Sequence, residues 1–561
     1  MEQTLLIVGG YGTFGGRLVE LLEGEKRLTI IVSGRSLNRA QLFCSQRGIT
    51  RAKLIAAHFD RDGDLVKQIS SIQPDILVDA SGPFQEYGAD GYNLVEACIC
   101  QKVNYLDLAD GAAFVNGISE FNEAACDAGI FVLSGVSSFP VLTALVVRAL
   151  SEDMSTLDNI RGGIAPSPFA GVGDNVIRAI AGYAGQRTTI RKNGRSVQGY
   201  PLTSTMRYTI APSGYIPLKN TLFSLVDVPD LKVLPQIFPD IQVVWVGAGP
   251  VPEILHRCLI ALSWLVRWKI IPSLLPLAKL MCFVMARVRW GEDRGGMFVE
   301  VKGKDNKGTG ITKSWHLLAE GGDGPLIPCM ALEAIIRKTL GGGIVGRGAR
   351  TAINDVSLDD YKQLFSTRMI YTEFKNTDAE KLPHLYGRLL GKSWDQLPSQ
   401  IQAMHGNIVD SEADGLAVVT RGKSYLARII AKIFSFPKKG VDVPVKVKFL
   451  IKDGKEIWVR TFADSSFSSV QSEGQGRAKG LLMERFGPLV FGIALVPEKG
   501  GILRLVIREW RLFGVKLPLW LGPRSDSYEQ EKQGGFIFVV NISHPLAGKI
   551  IGYTGQLKIR S

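Results

Sequence analysis

Histidine and cysteine are scarce in this 561-residue chain, and neither is arranged for metal or triad chemistry. The six histidines, His58, His256, His316, His384, His405 and His544, form no sequence cluster. None of the seven cysteines follows CxxC spacing with a histidine partner, and Cys98-Ile99-Cys100 alone cannot build a zinc site. All seven precede residue 330 and read as free thiols of a reducing compartment, so no metal is expected. The Ser-x-x-x-x-Tyr-x-x-x-Lys pattern of short-chain reductases is missing at any fitting position. No segment offers the roughly 20 uncharged apolar residues of a spanning helix. A strand-like run begins at Thr4 and leaves no room for a signal peptide. The expected location is cytoplasmic, or at the inner face of a membrane. With 46% hydrophobic and 21% charged residues the composition is that of a globular protein, and the length calls for two or three domains.

What is present is concentrated at the start. Thr4-Leu5-Leu6-Ile7-Val8 runs into Gly9-Gly10-Tyr11-Gly12-Thr13-Phe14-Gly15-Gly16, and an apolar helical pattern follows at Leu18, Leu21 and Leu22. Gly10, Gly12 and Gly15 satisfy G-x-G-x-x-G between a buried strand and a helix, where that pattern has a mechanism. One glycine allows the tight turn, the next lets backbone approach a pyrophosphate, and the third lets helix pack on strand. The helix N-terminus then offers unpaired N–H groups and a positive dipole end to phosphate.

Leu28-Thr29-Ile30-Ile31-Val32 reads as a second strand. An NAD-selective site carries Asp or Glu at its end, bonded to the ribose hydroxyls. Here the acid is missing: Ser33-Gly34-Arg35-Ser36 stands there, with Arg39 shortly after. Arginine and serine suit a 2′-phosphate through charge-assisted hydrogen bonds, which favours NADP over NAD. Leu54–Ala57 reads as a third strand, followed by Asp60 where an adenine-contacting loop would lie. Ile76–Ala80 reads as a fourth, ending in Ser81-Gly82-Pro83-Phe84 at the carboxyl edge where doubly wound sheets bind ligands. Helices near 91–101 and 120–128 lead to strands at Asn104–Leu108 and Gly129–Leu133. This alternation calls for a parallel sheet with right-handed crossovers.

Gly9 to Gly16, Gly34-Arg35-Ser36, Asp79-Ala80-Ser81-Gly82-Pro83-Phe84, Tyr87-Gly88, Tyr105-Leu106-Asp107-Leu108 and Gly135-Val136-Ser137-Ser138-Phe139-Pro140 stand in the order of the saccharopine dehydrogenase-like family. The chain resembles that family well over residues 1 to about 145 and more loosely to 375. The resemblance implies an NADP-binding Rossmann domain and a second α/β domain that forms the substrate cleft and often a homodimer contact. Family members include saccharopine reductases and trans-acting enoyl reductases, so the resemblance leaves the substrate open. The residues expected at the cofactor are Gly9, Gly10, Gly12, Thr13, Phe14, Gly15, Arg35, Ser36, Arg39, Asp60, Ser81, Gly82 and Pro83. Asp107, Asp110 and Ser81, at or after strand ends, are the candidates for proton handling, and each also reads as a loop cap.

The middle region begins with a helix over Val141–Leu150. The loop Ser167-Pro168-Phe169-Ala170-Gly171-Val172-Gly173-Asp174-Asn175 enters another helix, either as a cap on bound ligand or as a structural turn. Met297–Val301 and Thr312–Leu317 alternate as antiparallel strands. The stretch 254–291 holds no acidic residue, yet carries Arg257, Arg267, Lys269, Lys279, Arg287 and Arg289 with Trp264, Trp268 and Trp290. Such a stretch suits helices lying in a membrane interface. A buried helical hairpin or dimer seam is the competing reading. The helix Ala331–Leu340 is the one that, by the resemblance, returns to the Rossmann domain, and a linker near Phe374–Lys381 closes the module.

From Asn376 onward the chain has 27 Lys/Arg against 17 Asp/Glu, which points to an anionic partner or to plain solubility charge. After short helical parts at Leu385–Leu390 and Leu397–His405, β-patterned runs recur at Ala417–Val419, Val445–Leu450, Glu456–Arg460, Leu503–Ile507 and Phe536–Val540. They predict an antiparallel barrel or sandwich. Leu390-Gly391, Leu397-Pro398, His405-Gly406, Trp458-Val459-Arg460, Glu484-Arg485-Phe486-Gly487-Pro488 and Leu517-Pro518 with Gly522-Pro523-Arg524 resemble a domain of unknown function that bacterial proteins attach to such modules. The amphipathic Tyr425–Phe434 segment either touches lipid or packs on the barrel.

The fold class expected is α/β: a doubly wound Rossmann sheet over 1–134, an α+β substrate and dimerisation domain over 135–375, and a mainly antiparallel β domain over 376–561. The function expected is NADP-dependent reduction of a C=O, C=N or C=C bond in a small or lipid-like substrate. A non-catalytic NADP-binding lipid carrier or membrane-associated scaffold is the alternative. The partners expected are that substrate, a membrane touched through 254–291 and a second copy of the chain, with no specific nucleic acid.

Overall fold

The computed structural model describes residues 2–88, 91–171, 173–287, 290–376, 383–463 and 465–560. The expected linker near 374–381 lies mostly outside them, as does Arg289. The chain divides into two compact units, residues 1–208 with 221–377, and residues 209–220 with 378–561. The first unit thus joins the Rossmann and middle regions. The segment 209–220, which sequence reading leaves inside the middle domain, groups with the C-terminal unit.

In the first unit, β1 (Gln3–Val8), β2 (Leu28–Gly34), β3 (Lys53–His58), β4 (Ile76–Asp79), β5 (Asn104–Asp107) and β6 (Phe131–Ser134) lie in a parallel sheet. The order is 3-2-1-4-5-6, and Gly348–Thr351 adds a seventh parallel strand beside β6. Strand β1 shows why its run is continuously apolar. Leu5 and Ile7 pack with Leu18 and Val19 on one face, while Leu6 and Val8 pack with Ile69 and Leu94 on the other. A parallel sheet covered on both faces needs apolar residues at successive positions.

A second seven-stranded sheet is mixed. Its central strand Met154–Ala165 pairs in parallel with Val243–Ala248 and antiparallel with Gly295–Asp305. The outer strands on one side are Gly310–Ala319 and Ile370–Asn376; on the other they are Thr221–Leu225 and Thr205–Tyr208. The helix Ile327–Leu340 packs on the first Rossmann helix, Thr13–Leu22. Its Thr339 hydroxyl donates to Gln3 Oε1 at 3.0 Å, and Arg27 donates to its Leu340 carbonyl at 2.9 Å. The late helix therefore returns to the Rossmann sheet.

The second unit is a barrel. Strands from Ser411–Arg421 to Gly548–Arg560 run up and down in sequence order, each antiparallel to its neighbours, and the last pairs with the first from Glu412–Arg560 to Arg421–Ile551. The ring contains ten strands, with the short Val515–Leu517 strand folded onto the end of Ile502–Leu512. Closure leaves the ring without an open edge. Tyr386, Leu390, Ile401, Met404 and His405, from the two helices ahead of the barrel, are buried alongside inward strand residues such as Phe449 and Trp458. His405 Nε2 meets Glu529 Oε2 at 2.6 Å, and Glu484 accepts from Ser469 and Gln471 at 2.7 and 3.1 Å. The helix Tyr425–Ile433 buries Ala427 and Ala431 and leaves Tyr425 and Ile433 exposed.

Candidate active site

A cleft of about 1600 Å³ opens in the first unit, along the carboxyl edge of the Rossmann sheet and across to the middle sheet. At its Rossmann end the turn after β1 is shaped by glycines. Gly9 has φ +78°, and a Cβ there would lie 2.9 Å from the Ala80 carbonyl oxygen. A Cβ on Gly15 would lie 2.7 Å from the Gly10 Cα and closer still to the Gly9 carbonyl, so only glycine lets the helix start this near the turn. The helix begins at Thr13 with Gly12 as its N-cap and no side chain capping it. Its first N–H groups and dipole end are thereby left for an anion. These residues fit the pyrophosphate of a dinucleotide.

Beyond the end of β2, Arg35 and Arg39 are exposed and line the cleft. Tyr11 packs over Gly34, its hydroxyl accepts from the Ser36 N–H at 3.1 Å, and the Arg39 guanidinium lies 4.9 Å over its ring. Ser36 Oγ accepts from the Arg39 N–H as a helix cap. The strand-end segment 33–36 itself carries no acid. Asp60 lines the next loop, which Gln68 fixes through bonds of 2.8 and 2.9 Å to the Asp60 backbone.

The wall beneath is a buried ion pair. Asp79, fully buried at the end of β4, pairs with Arg61, which stacks 3.7 Å over the Tyr87 ring. Ser81 donates to Asp79 Oδ1 at 2.5 Å and meets the Tyr87 hydroxyl at 2.9 Å. The Ser81 hydroxyl is thus engaged in holding the Ser-Gly-Pro turn in shape, with Gly82 and Pro83 on the cleft surface.

Two carboxylates and a tyrosine define the far end. Asp110 accepts from Gln85 at 3.0 Å, and burial together with the nearby Asp227 charge raises its pKa. Asp227 accepts from Thr188 at 2.6 Å and is raised by burial. Burial, then the charges of Asp110 and Asp227, push the Tyr183 hydroxyl well above its ordinary range, so it stays protonated at neutral pH. Buried His256 bonds Ser224 Oγ at 2.7 Å, and desolvation lowers its pKa to about 4, which keeps the ring neutral. Apolar side chains of the helices Glu253–Arg267 and Ala278–Arg287, among them Leu259, Leu262, Met281 and Val284, complete this end.

The loop before helix Asp174–Tyr183 lies against the phosphate-binding turn. Arg17 donates to the carbonyls of Ala170 and Gly171, and Asn175 donates to those of Ser81 and Gly82 at 2.9 and 2.7 Å. A Cβ on Gly173 would lie 2.6 Å from Thr13 Oγ1.

Of the residues expected from sequence, Gly9, Gly12, Thr13, Phe14, Arg35 and Arg39 line this cleft, as do Asp60, Ser81, Gly82, Pro83 and Asp110. Gly10, Gly15 and Ser36 shape it from behind. Asp107 is placed differently: fully buried, its Oδ1 accepts from Ala109, Ser134 and Gly135 at 2.9, 3.0 and 2.8 Å, tying β5 to the end of β6. Asn175 ends the glycine-rich loop singled out in the sequence, whereas Arg61, Tyr183, Asp227 and His256 do not stand out there. Arg61 follows Asp60 in a polar turn, and the others lie far along the chain, where local pattern carries no signal that they converge.

The cleft and turn define the class: this is an NAD(P)-dependent oxidoreductase. Residues 5–133 match the saccharopine dehydrogenase NADP binding domain, and residues 397–557 match a domain of unknown function, DUF4166. No curated protein matches the chain. Among solved structures it is similar to apo saccharopine dehydrogenase (L-Glu forming) from Saccharomyces cerevisiae, at 16% identity and TM-score 0.48 over 67% of this chain and 100% of that one. It is also similar to a mutant meso-dapdh with DAP from Clostridium tetani E88, at 14% identity and TM-score 0.32 over 65% and 99%. A third is an oxidoreductase from Agrobacterium radiobacter in complex with NAD+, L-tartaric acid and magnesium, at 11% identity and TM-score 0.29 over 66% and 98%.

Proposed function

We propose that the protein is an NADP-dependent reductase of a C=O, C=N or C=C bond in an amphiphilic, lipid-like substrate. The observation that carries this reading is the composition of the cleft. A dinucleotide turn and two arginines lie at one end, and a protonated Tyr183 with two carboxylates lies beside an apolar wall at the other. When bound, the reduced nicotinamide supplies hydride. Gly9, Gly12 and the start of helix Thr13–Leu22 would hold the pyrophosphate, and Arg35 and Arg39 the 2′-phosphate. Tyr183 holds a proton at its hydroxyl and would donate it to the reduced substrate. Asp110 and Asp227, with their raised pKa values, take protons readily and orient a polar headgroup. Leu259, Leu262, Met281 and Val284 exclude water and receive an alkyl portion.

The test is NADPH oxidation against ketones, imines and enoyl thioesters of graded chain length. Turnover that improves with chain length supports the reading. Tight NADPH binding without turnover of any of them overturns it and leaves a non-catalytic lipid carrier.

A further inference from the structure

The helices that form the apolar wall also carry an unpartnered outer face. On Glu253–Arg267 the exposed positions Ile254, Arg257, Cys258 and Ala261 recur at helical spacing, and Trp268 follows at the helix end. On Ala278–Arg287 they are Lys279, Leu280, Phe283 and Arg287. The apolar members are large and strongly exposed: Trp268 is 62% exposed, Ile270 63%, Leu280 59% and Phe283 55%. Isolated exposed apolar residues need no explanation, but several on two helices that pack on one shared cluster around Val266, Leu274 and Ala278 do.

Its charge is of one sign. No acidic residue occurs between Ile254 and Gly291. Lys269 and Lys279 make no ion pair among the described residues, and Arg287 lies 4.0 Å over the Phe283 ring. Arg257 is paired with Glu253 at 2.7 Å, which leaves Lys269, Lys279 and Arg287 beside the aromatic and aliphatic side chains to complement an anionic lipid surface. No helix among the described residues is long and apolar enough to cross a membrane, so the segment would lie in the interface. Cys258 and Leu280 both belong to the exposed face and line the cleft, which places the patch at the cleft mouth.

We propose that this face docks on an anionic bilayer and that the substrate enters the cleft from that bilayer. The docking stands on the patch alone; the entry route rests on the reductase reading above. Docking brings Leu280 and Cys258 to headgroup depth, so an alkyl chain moves from lipid onto Leu259, Leu262 and Met281 without crossing water.

The experiment is sedimentation of the full chain with vesicles of phosphatidylcholine alone and of phosphatidylcholine mixed with phosphatidylglycerol. Retention on the mixed vesicles, weakened by salt, is expected. Lys269→Gln with Lys279→Gln should weaken it by about tenfold or more, and Ile270→Ser with Phe283→Ser should abolish it. Circular dichroism and NADPH titration confirm that both variants fold. Equal retention on both vesicles, no retention, or wild-type retention of the variants overturns docking. So does a dimer in solution that Ile270→Ser with Phe283→Ser dissociates, which would assign the face to a second copy. Retention without NADPH turnover sinks the reductase reading and leaves docking standing; turnover of a dispersed substrate without retention does the reverse.

Discussion

The Tyr11 hydroxyl accepts a hydrogen bond from the Ser36 N–H at 3.1 Å, which locks the phosphate-binding turn to the corner after β2. The Tyr11 ring also carries the Arg39 guanidinium, so the turn that would hold the pyrophosphate positions a cation for the neighbouring ribose. Arg35 projects beside it, exposed, from a strand end that carries no acid.

Replacing Arg35 with aspartate should therefore lower NADPH affinity by at least about tenfold, the size of one lost charge-assisted bond, and leave NADH binding unchanged or tighter, since an acid there can accept from the ribose hydroxyls. Fluorescence titration with both nucleotides checks this. Equal affinities for the two in the wild type would remove the 2′-phosphate assignment.

Gly15 allows a test of the turn itself. A Cβ there meets the backbone of Gly9 and Gly10, which has no flexible end to move aside. Gly15→Ala should cost about 1–3 kcal/mol through overpacking and abolish dinucleotide binding. Thermal unfolding with and without NADPH separates the two effects: the variant should lose both stability and the shift that the nucleotide gives.

Much of this architecture is legible in the amino-acid sequence alone. Leu5 to Val8 read as a doubly covered strand because adjacent side chains face different apolar clusters. Gly9 to Gly15 and the Ser81-Gly82-Pro83 strand end mark the ligand edge because backbone geometry there demands particular residues. Asp227, Tyr183 and His256 stay hidden. Each sits in an ordinary local pattern and acquires meaning only when the middle sheet brings it to the cleft. The barrel strands can be read one by one, but closure depends on pairing Ser411–Arg421 with Gly548–Arg560, which no local period encodes. Asp107 has the sequence position of a group at the ligand edge and is instead a buried tie between strands.

That tie has a pH signature. Burial raises the Asp107 pKa to about 7, above the ordinary carboxylate value of 3.8, and its Oδ2 has no hydrogen-bond partner among the described residues. Between these two values the folded chain holds a proton that the unfolded chain has released. The contribution of Asp107 to stability therefore falls as pH rises from about 4 to about 7, and levels off above that. Asp230, raised to about 7 by burial, adds to the same slope. Urea unfolding from pH 4 to 8 should show a shallower decline in Asp107→Asn than in the wild type. Parallel curves would mean that Asp107 is ionised in the fold.

Tyr183 gives the sharpest test of the chemistry. Burial and the charges of Asp110 and Asp227 all favour its neutral hydroxyl, which keeps it a hydrogen-bond donor throughout the neutral range and makes substrate, when bound, the group that must draw the proton off. Tyr183→Phe removes one oxygen and leaves the helix Asp174–Tyr183 and the distant dinucleotide turn intact. If the hydroxyl delivers the proton, kcat should fall by about a hundredfold or more while the NADPH Kd stays unchanged. A variant that raises KM and leaves kcat alone would instead make Tyr183 a substrate-positioning group. The two outcomes separate in a single set of initial-rate measurements at saturating NADPH.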